Sequence, residues 1–108
     1  MATVHVLTDD LLFGSRLQSE LAAAGHVVTL GLPLPGAADA IVADLTHDAD
    51  VRIAALAPPR PPTLAFFSHV EVDVRTRALA AGIEVVVPRS RIAREAPLLL
   101  AALLATAR

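Results

Sequence analysis

Short apolar runs alternate with longer amphipathic stretches along this chain, and the alternation predicts its elements. Residues 4–8 are apolar and rich in β-branched side chains, which predicts a strand. Over residues 10–24, Leu11, Leu12, Leu17 and Leu21 recur at helical spacing, with Arg16, Gln18 and Glu20 on the other side. Gly25 closes that helix. Residues 27–30 predict a second strand, and residues 31–36 (GLPLPG) are too punctuated for a helix. Residues 40–43 predict a third strand, apolar on both faces. A helix follows over 48–57, with Val51, Ile53, Ala54 and Leu56 inward, until PPRPP (58–62) stops it. Residues 63–67 predict the fourth strand, 70–81 a helix capped by Gly82, and 83–87 the fifth strand. The last helix spans 92–106 and carries Leu98, Leu99, Leu100, Leu103 and Leu104.

Continuous apolar strands that alternate with helices imply a parallel sheet covered on both faces. With right-handed crossovers this becomes a doubly wound α/β sandwich of five strands. The interval between the second and third strands is too short for a full helix, so one covering helix is expected to be shortened or missing. No internal repeat and no second domain is evident, so residues 1–108 are read as one domain.

Composition narrows the classes. Apolar residues make up 55% and charged ones 19%, the reverse of a disordered chain. A net charge of −2, with nine scattered arginines and no lysine, offers no field for nucleic acid or an acidic membrane. Without cysteine there is no disulfide or thiolate chemistry, which suits a cytoplasmic protein. Residues 96–107 are the most apolar stretch and are well short of the ~20 a membrane helix needs. No Gly-rich phosphate loop, zinc-ligand spacing or nucleophile elbow occurs.

The candidate chemistry lies where the strands end. Asp9 and Asp10 follow the first, Asp44 the third, Ser68 the fourth and Arg89 the fifth. In an open parallel sheet these ends share one edge, the edge where ligands bind. Carboxylates, a hydroxyl and a cation suit a phosphoryl group with Mg²⁺, a hard ion held by oxygen. Asp9, Asp44 and Asp10 are the candidate metal ligands, and Asp44 the candidate nucleophile. Each has a simpler alternative: Asp9 or Asp10 as a helix cap, Asp44 as an ordinary polar residue starting a β–α loop, Ser68 as a cap before Val70, His69 as a solvated loop residue, and Arg89 as an exposed charge at a helix start.

On these residues the chain resembles a receiver domain, the phosphoacceptor module of two-component response regulators. The matching features are acids after strand one, Asp44 in VADL, Ser68, the Ala80–Ala81–Gly82 run before strand five, and a cation seven residues beyond Gly82. The resemblance implies a flavodoxin-like sheet of order 2-1-3-4-5 and Mg²⁺-dependent phosphorylation of Asp44 assisted by Ser68. It implies a kinase or an output protein as partner. The chain departs from the pattern in three ways: Arg89 replaces lysine, spacing puts either Thr8–Asp9 or Asp9–Asp10 at the acid pair, and the second helix is curtailed. Arg89, a planar fork, could instead hold Asp44 in an ion pair. That alternative is a pseudo-receiver, an interaction module without phosphotransfer. A small flavodoxin-like nucleotide-binding domain or enzyme is the third reading. As a receiver it is at most an enzyme on itself. With its last residue at Arg108, output is expected by docking, through a homodimer or another protein, over about residues 72–107. There Val72, Val74 and, on the outer side of the last helix, Leu98, Ala101 and Ala105 are expected to be apolar and uncovered, while Leu99, Ala102 and Leu103 face the sheet.

Overall fold

The computed structural model describes residues 2–32, 37–68 and 71–106. Part of GLPLPG, His69, the expected helix start at Val70 and Ala107 lie outside the described residues. The elements are β1 (Thr3–Leu7), α1 (Leu11–Ala23), β2 (Val27–Leu30), β3 (Ala40–Asp44) and α2 (Ala49–Ala55). They continue with β4 (Thr63–Phe67), α3 (Val72–Ala80), β5 (Val85–Pro88) and α4 (Arg89–Thr106). All pairings are parallel and the order is β2-β1-β3-β4-β5, the doubly wound arrangement the alternation predicts.

Period-two alternation builds two cores. Val4, Val6, Val42, Leu64 and Phe66 join Leu17, Leu21, Ile92 and Leu100 on the α1/α4 side. Leu7, Ile41, Ala65 and Phe67 join Leu56, Val74 and Ala78 on the α2/α3 side. β3 and β4 are buried along their whole length, as central strands of a parallel sheet must be. Residues 31–32 and 37–39, between β2 and β3, are not helical. The edge strand β2 shows the effect. Val28 and Leu30 pack on the α1/α4 core, while Val27 and Thr29 on the other face stay exposed.

Local chemistry sets the helix ends. The Asp10 carboxylate accepts the Phe13 N–H at 3.0 Å and starts α1. Gly25 (φ +98°) and Gly82 (φ +90°) take the left-handed turn after α1 and α3. In each case the next residue donates back into the last turn, His26 to Leu21 and Ile83 to Ala78, closing a Schellman motif.

Three expected orientations need correction. In α2 the inward residues are Arg52 and Leu56, with Ala49 and Ile53 partly buried; Val51 and Ala54 face solvent. Val74 is fully buried in the α2/α3 core, so it cannot belong to an outer apolar face. In α4 Ala102 is exposed, and the sheet-facing line is Ile92, Ala96, Leu100 and Leu103. That line is shifted because α4 starts at Arg89 and breaks its helical geometry at Glu95, just before Pro97.

Candidate functional site

The parallel register brings the candidate residues to one sheet edge. Leu7 lies beside Ala43, so Thr8 comes next to Asp44; Asp44 pairs with Phe66, and Phe67 with Pro88. Ser68 and Arg89 therefore leave neighbouring strands at the same end.

Asp44 is fully buried, yet its carboxylate has partners on both oxygens. Thr8 Oγ1 donates to Oδ2 at 2.6 Å. Thr46 donates to Oδ1 through its backbone N–H at 2.9 Å and also through its hydroxyl. The Thr8 hydroxyl itself accepts the Asp10 N–H at 3.0 Å, which fixes its proton toward Asp44. A buried carboxylate is tolerated only with such a complement of bonds.

The cation nearest Asp44 is Arg52 from α2. Its Nη1 donates to the Asp44 main-chain oxygen at 2.7 Å and stands 3.9 Å from Oδ2. Its Nη2 meets Asp9 Oδ1 at 3.0 Å. The guanidinium bond from Arg52 holds the Asp9 carboxyl below its usual range, against the opposing effect of burial.

Arg89 takes another direction. It meets Asp10 Oδ2 at 3.0 Å and lies over the Phe13 ring, 4.1 Å from its centroid. The Phe13 N–H, then the Arg89 bond, hold Asp10 below the usual carboxylate range. An Arg89–Asp44 ion pair, expected from the sequence, is replaced by Arg89–Asp10. The cause is local: as the first residue of α4, Arg89 can stack on α1, and capping fixes Asp10 beside it.

This geometry bears on the acid pair and on Mg²⁺. Thr8, not Asp10, lies against Asp44, with Asp9 next to it in the chain. Asp10 serves as helix cap and partner of Arg89. Among the described residues, no three acidic or imidazole side chains come together to hold a metal ion. Asp9 faces a guanidinium, and both Asp44 oxygens are engaged. The donors in this arrangement do not fit Mg²⁺.

Ser68 is partly buried, and its carbonyl accepts the Glu71 N–H at 2.9 Å. It does not cap α3, whose N-cap is Glu71. Sequence reasoning missed Thr46 and Arg52. Thr46 carries a common signal, a hydroxyl two residues past an Asp in a strand–helix loop. Arg52 carries a subtler one: it falls on the Ala49–Leu56 stripe, and a charged side chain on an inward stripe demands carboxylate partners.

No protein-family model matches the chain, and no curated protein matches it in sequence. Solved structures do match. The receiver domain of the TMAO respiratory system response regulator TorR superposes with a TM-score of 0.84 at 18% identity, over 100% of both chains. The non-phosphorylated HemR receiver domain from Leptospira biflexa gives 0.82 at 19% identity, covering 100% of this chain and 98% of that one. A response regulator receiver protein from Burkholderia phymatum gives 0.78 at 19%, covering 97% and 96%. At these identities the likeness speaks for architecture, and on that ground this chain has the fold of a response-regulator receiver domain.

Proposed function

We propose that this chain is a receiver-like signalling domain that acts through protein contacts and keeps Asp44 out of phosphotransfer. The observation behind this reading is the state of Asp44: wholly buried, with Thr8 on one oxygen and Thr46 on the other. A carboxylate nucleophile must present a free lone pair to the phosphorus, in line with the leaving group. Here Oδ1 accepts two bonds from Thr46, and Oδ2, which accepts the Thr8 hydroxyl, has the Arg52 guanidinium 3.9 Å away, so the nearest cation is a side chain. A domain so built holds one conformation and offers its surface to a partner. A cytoplasmic setting belongs to the same reading. Among the described residues no helix is long and apolar enough to cross a membrane.

A second reading, an active phosphoacceptor at Asp44, is favoured by one observation. Ser68 and Arg89 stand at the ends of β4 and β5, where side chains able to contact a phosphoryl group would be needed.

Acetyl phosphate with Mg²⁺ separates the two. Intact-mass spectrometry of the wild type is expected to show no adduct, and Asp44→Asn to be indistinguishable from it. A single phosphate on the wild type that Asp44→Asn abolishes would establish the second reading.

A further inference from the structure

We infer that Arg52 is a built-in cation that takes the place of a divalent metal between Asp9 and Asp44. The inference rests on the reading of a locked Asp44 and adds what sets the charge balance of the lock. α2 runs back beside the sheet edge, so a residue on its inward face reaches the end of β3. Leu56 and Ile53 use that face for packing, but Arg52 uses it to deliver a guanidinium, and the residue is only 5% exposed. A buried arginine stands for a requirement, because its charge cannot be neutralised by losing a proton.

The oxygens around that guanidinium name the requirement. They are one carboxylate oxygen of Asp9, the main-chain oxygen of Asp44 and, at 3.9 Å, one carboxylate oxygen of Asp44. Carboxylate and carbonyl oxygens are the donors that hard divalent cations take. Two carboxylates drawn to one edge repel, and some positive charge must offset this. Arg52 supplies a single positive charge from within the chain and needs no dehydrated ion. The consequence is that the wild-type site is indifferent to Mg²⁺. Without the guanidinium, the same oxygens would be left as an uncompensated cation site.

Mn²⁺ and Mg²⁺ are the probes. In the wild type, Mn²⁺ is expected to leave the amide signals of residues 8–10 and 44–46 unbroadened. Millimolar Mg²⁺ should not raise Tm beyond the effect of NaCl at equal ionic strength. Arg52→Ala is expected to melt lower in NaCl, to regain Tm selectively in Mg²⁺, and to show Mn²⁺ broadening at those amides. Its apparent Mn²⁺ affinity should be at least about tenfold above wild type, since one repelling charge is gone. Asp9→Asn added to Arg52→Ala should remove the gain. Arg52→Gln, which keeps a polar side chain with an N–H donor but not the charge, serves if the alanine variant does not fold, and should gain metal response likewise. Arg52→Lys should remain indifferent. Equal broadening in wild type and Arg52→Ala would overturn the inference, as would no gain in either neutral variant. Mg²⁺-dependent shifts in a wild type that takes no phosphate would sink this inference alone. An Asp44 adduct formed without any metal response would sink only the reading of a locked Asp44.

Discussion

Asp9 and Asp10 adjoin in sequence but answer to different arginines, Arg52 from α2 and Arg89 from α4. Both carboxyls are held below their usual range, Asp9 chiefly by the Arg52 bond and Asp10 chiefly by the Phe13 N–H. A carboxyl with a depressed folded pKa binds its proton more weakly folded than unfolded. Its stabilisation is therefore whole above the unfolded pKa, at about pH 5 and up, and is lost as pH falls through the lower folded value. Urea midpoints measured from neutral pH down to about pH 3 should fall on the acid side, and less steeply in Asp9→Asn and Asp10→Asn. Parallel curves for all three proteins would show that these pairs contribute nothing. At this scale the sequence was partly legible. Asp44 and Asp9 followed from strand-end positions, and Thr8 only from the receiver-like spacing. Arg52 did not, because apolar periodicity puts Val51, Ile53, Ala54 and Leu56 inward and gives the arginine among them no role. The direction of Arg89 was hidden for another reason. Asp10 and Asp44 both lie at strand ends, and only the start of α4 and the Phe13 ring decide between them.

At the scale of elements, helix and strand type were legible along most of the chain, and the tethers between elements were not. PPRPP reads as a stiff loop, but its arginine ties three elements together. Arg60 Nε donates to the Leu56 carbonyl at 2.6 Å, ending α2. Its Nη2 donates to the Gly82 carbonyl at 2.8 Å, and its Nη1 meets Glu84 at 2.9 Å. Glu84 in turn accepts the Thr63 N–H at 3.0 Å, where β4 begins. Burial alone would raise the Glu84 pKa; the Thr63 and Arg60 bonds outweigh it and lower it. Arg60→Ala should cost about 2 kcal/mol, since it removes bonds from a charged donor and leaves carbonyls without partners. Denaturant unfolding with an unchanged m-value would measure it. A loss within about 0.5 kcal/mol, as for an ordinary surface site, would show that the latch carries no weight. Gly14 illustrates the same blindness. In sequence it is a poor helix residue, yet a Cβ there would stand 2.7 Å from Leu30 and 2.9 Å from the Thr8 methyl. Its smallness lets α1 sit close to the strand that carries Thr8 to Asp44.

For the whole molecule, the open question is what covers α4. Its inward line is spent on the core, and its outward side presents Leu98, Ala101, Ala102 and Ala105, all exposed, with Leu98 at 69%. Their spacing of three, four and seven places them on one helical stripe. No element among the described residues packs over them, and contiguous apolar surface of this kind marks an interface. The three alanines permit close approach of a second helix, and Leu98 gives it a projection to pack against. A second copy of the same stripe, related by a two-fold axis, matches it in shape, and such symmetric pairing is the commonest arrangement. The sequence located this surface on the last helix with Leu98, Ala101 and Ala105; in the structure Val74 leaves it by turning inward and Ala102 joins it by turning outward. Light scattering across a concentration series should show the apparent mass rising from that of one 11.2 kDa chain toward that of two. Leu98→Glu would bring two carboxylates into a desolvated contact and should hold the protein monomeric. Its Tm should stay near that of the wild type under monomeric conditions, because Leu98 adds little to the core. A wild type that stays monomeric at high concentration, with Leu98→Glu changing neither solubility nor stability, would show that the stripe is ordinary surface.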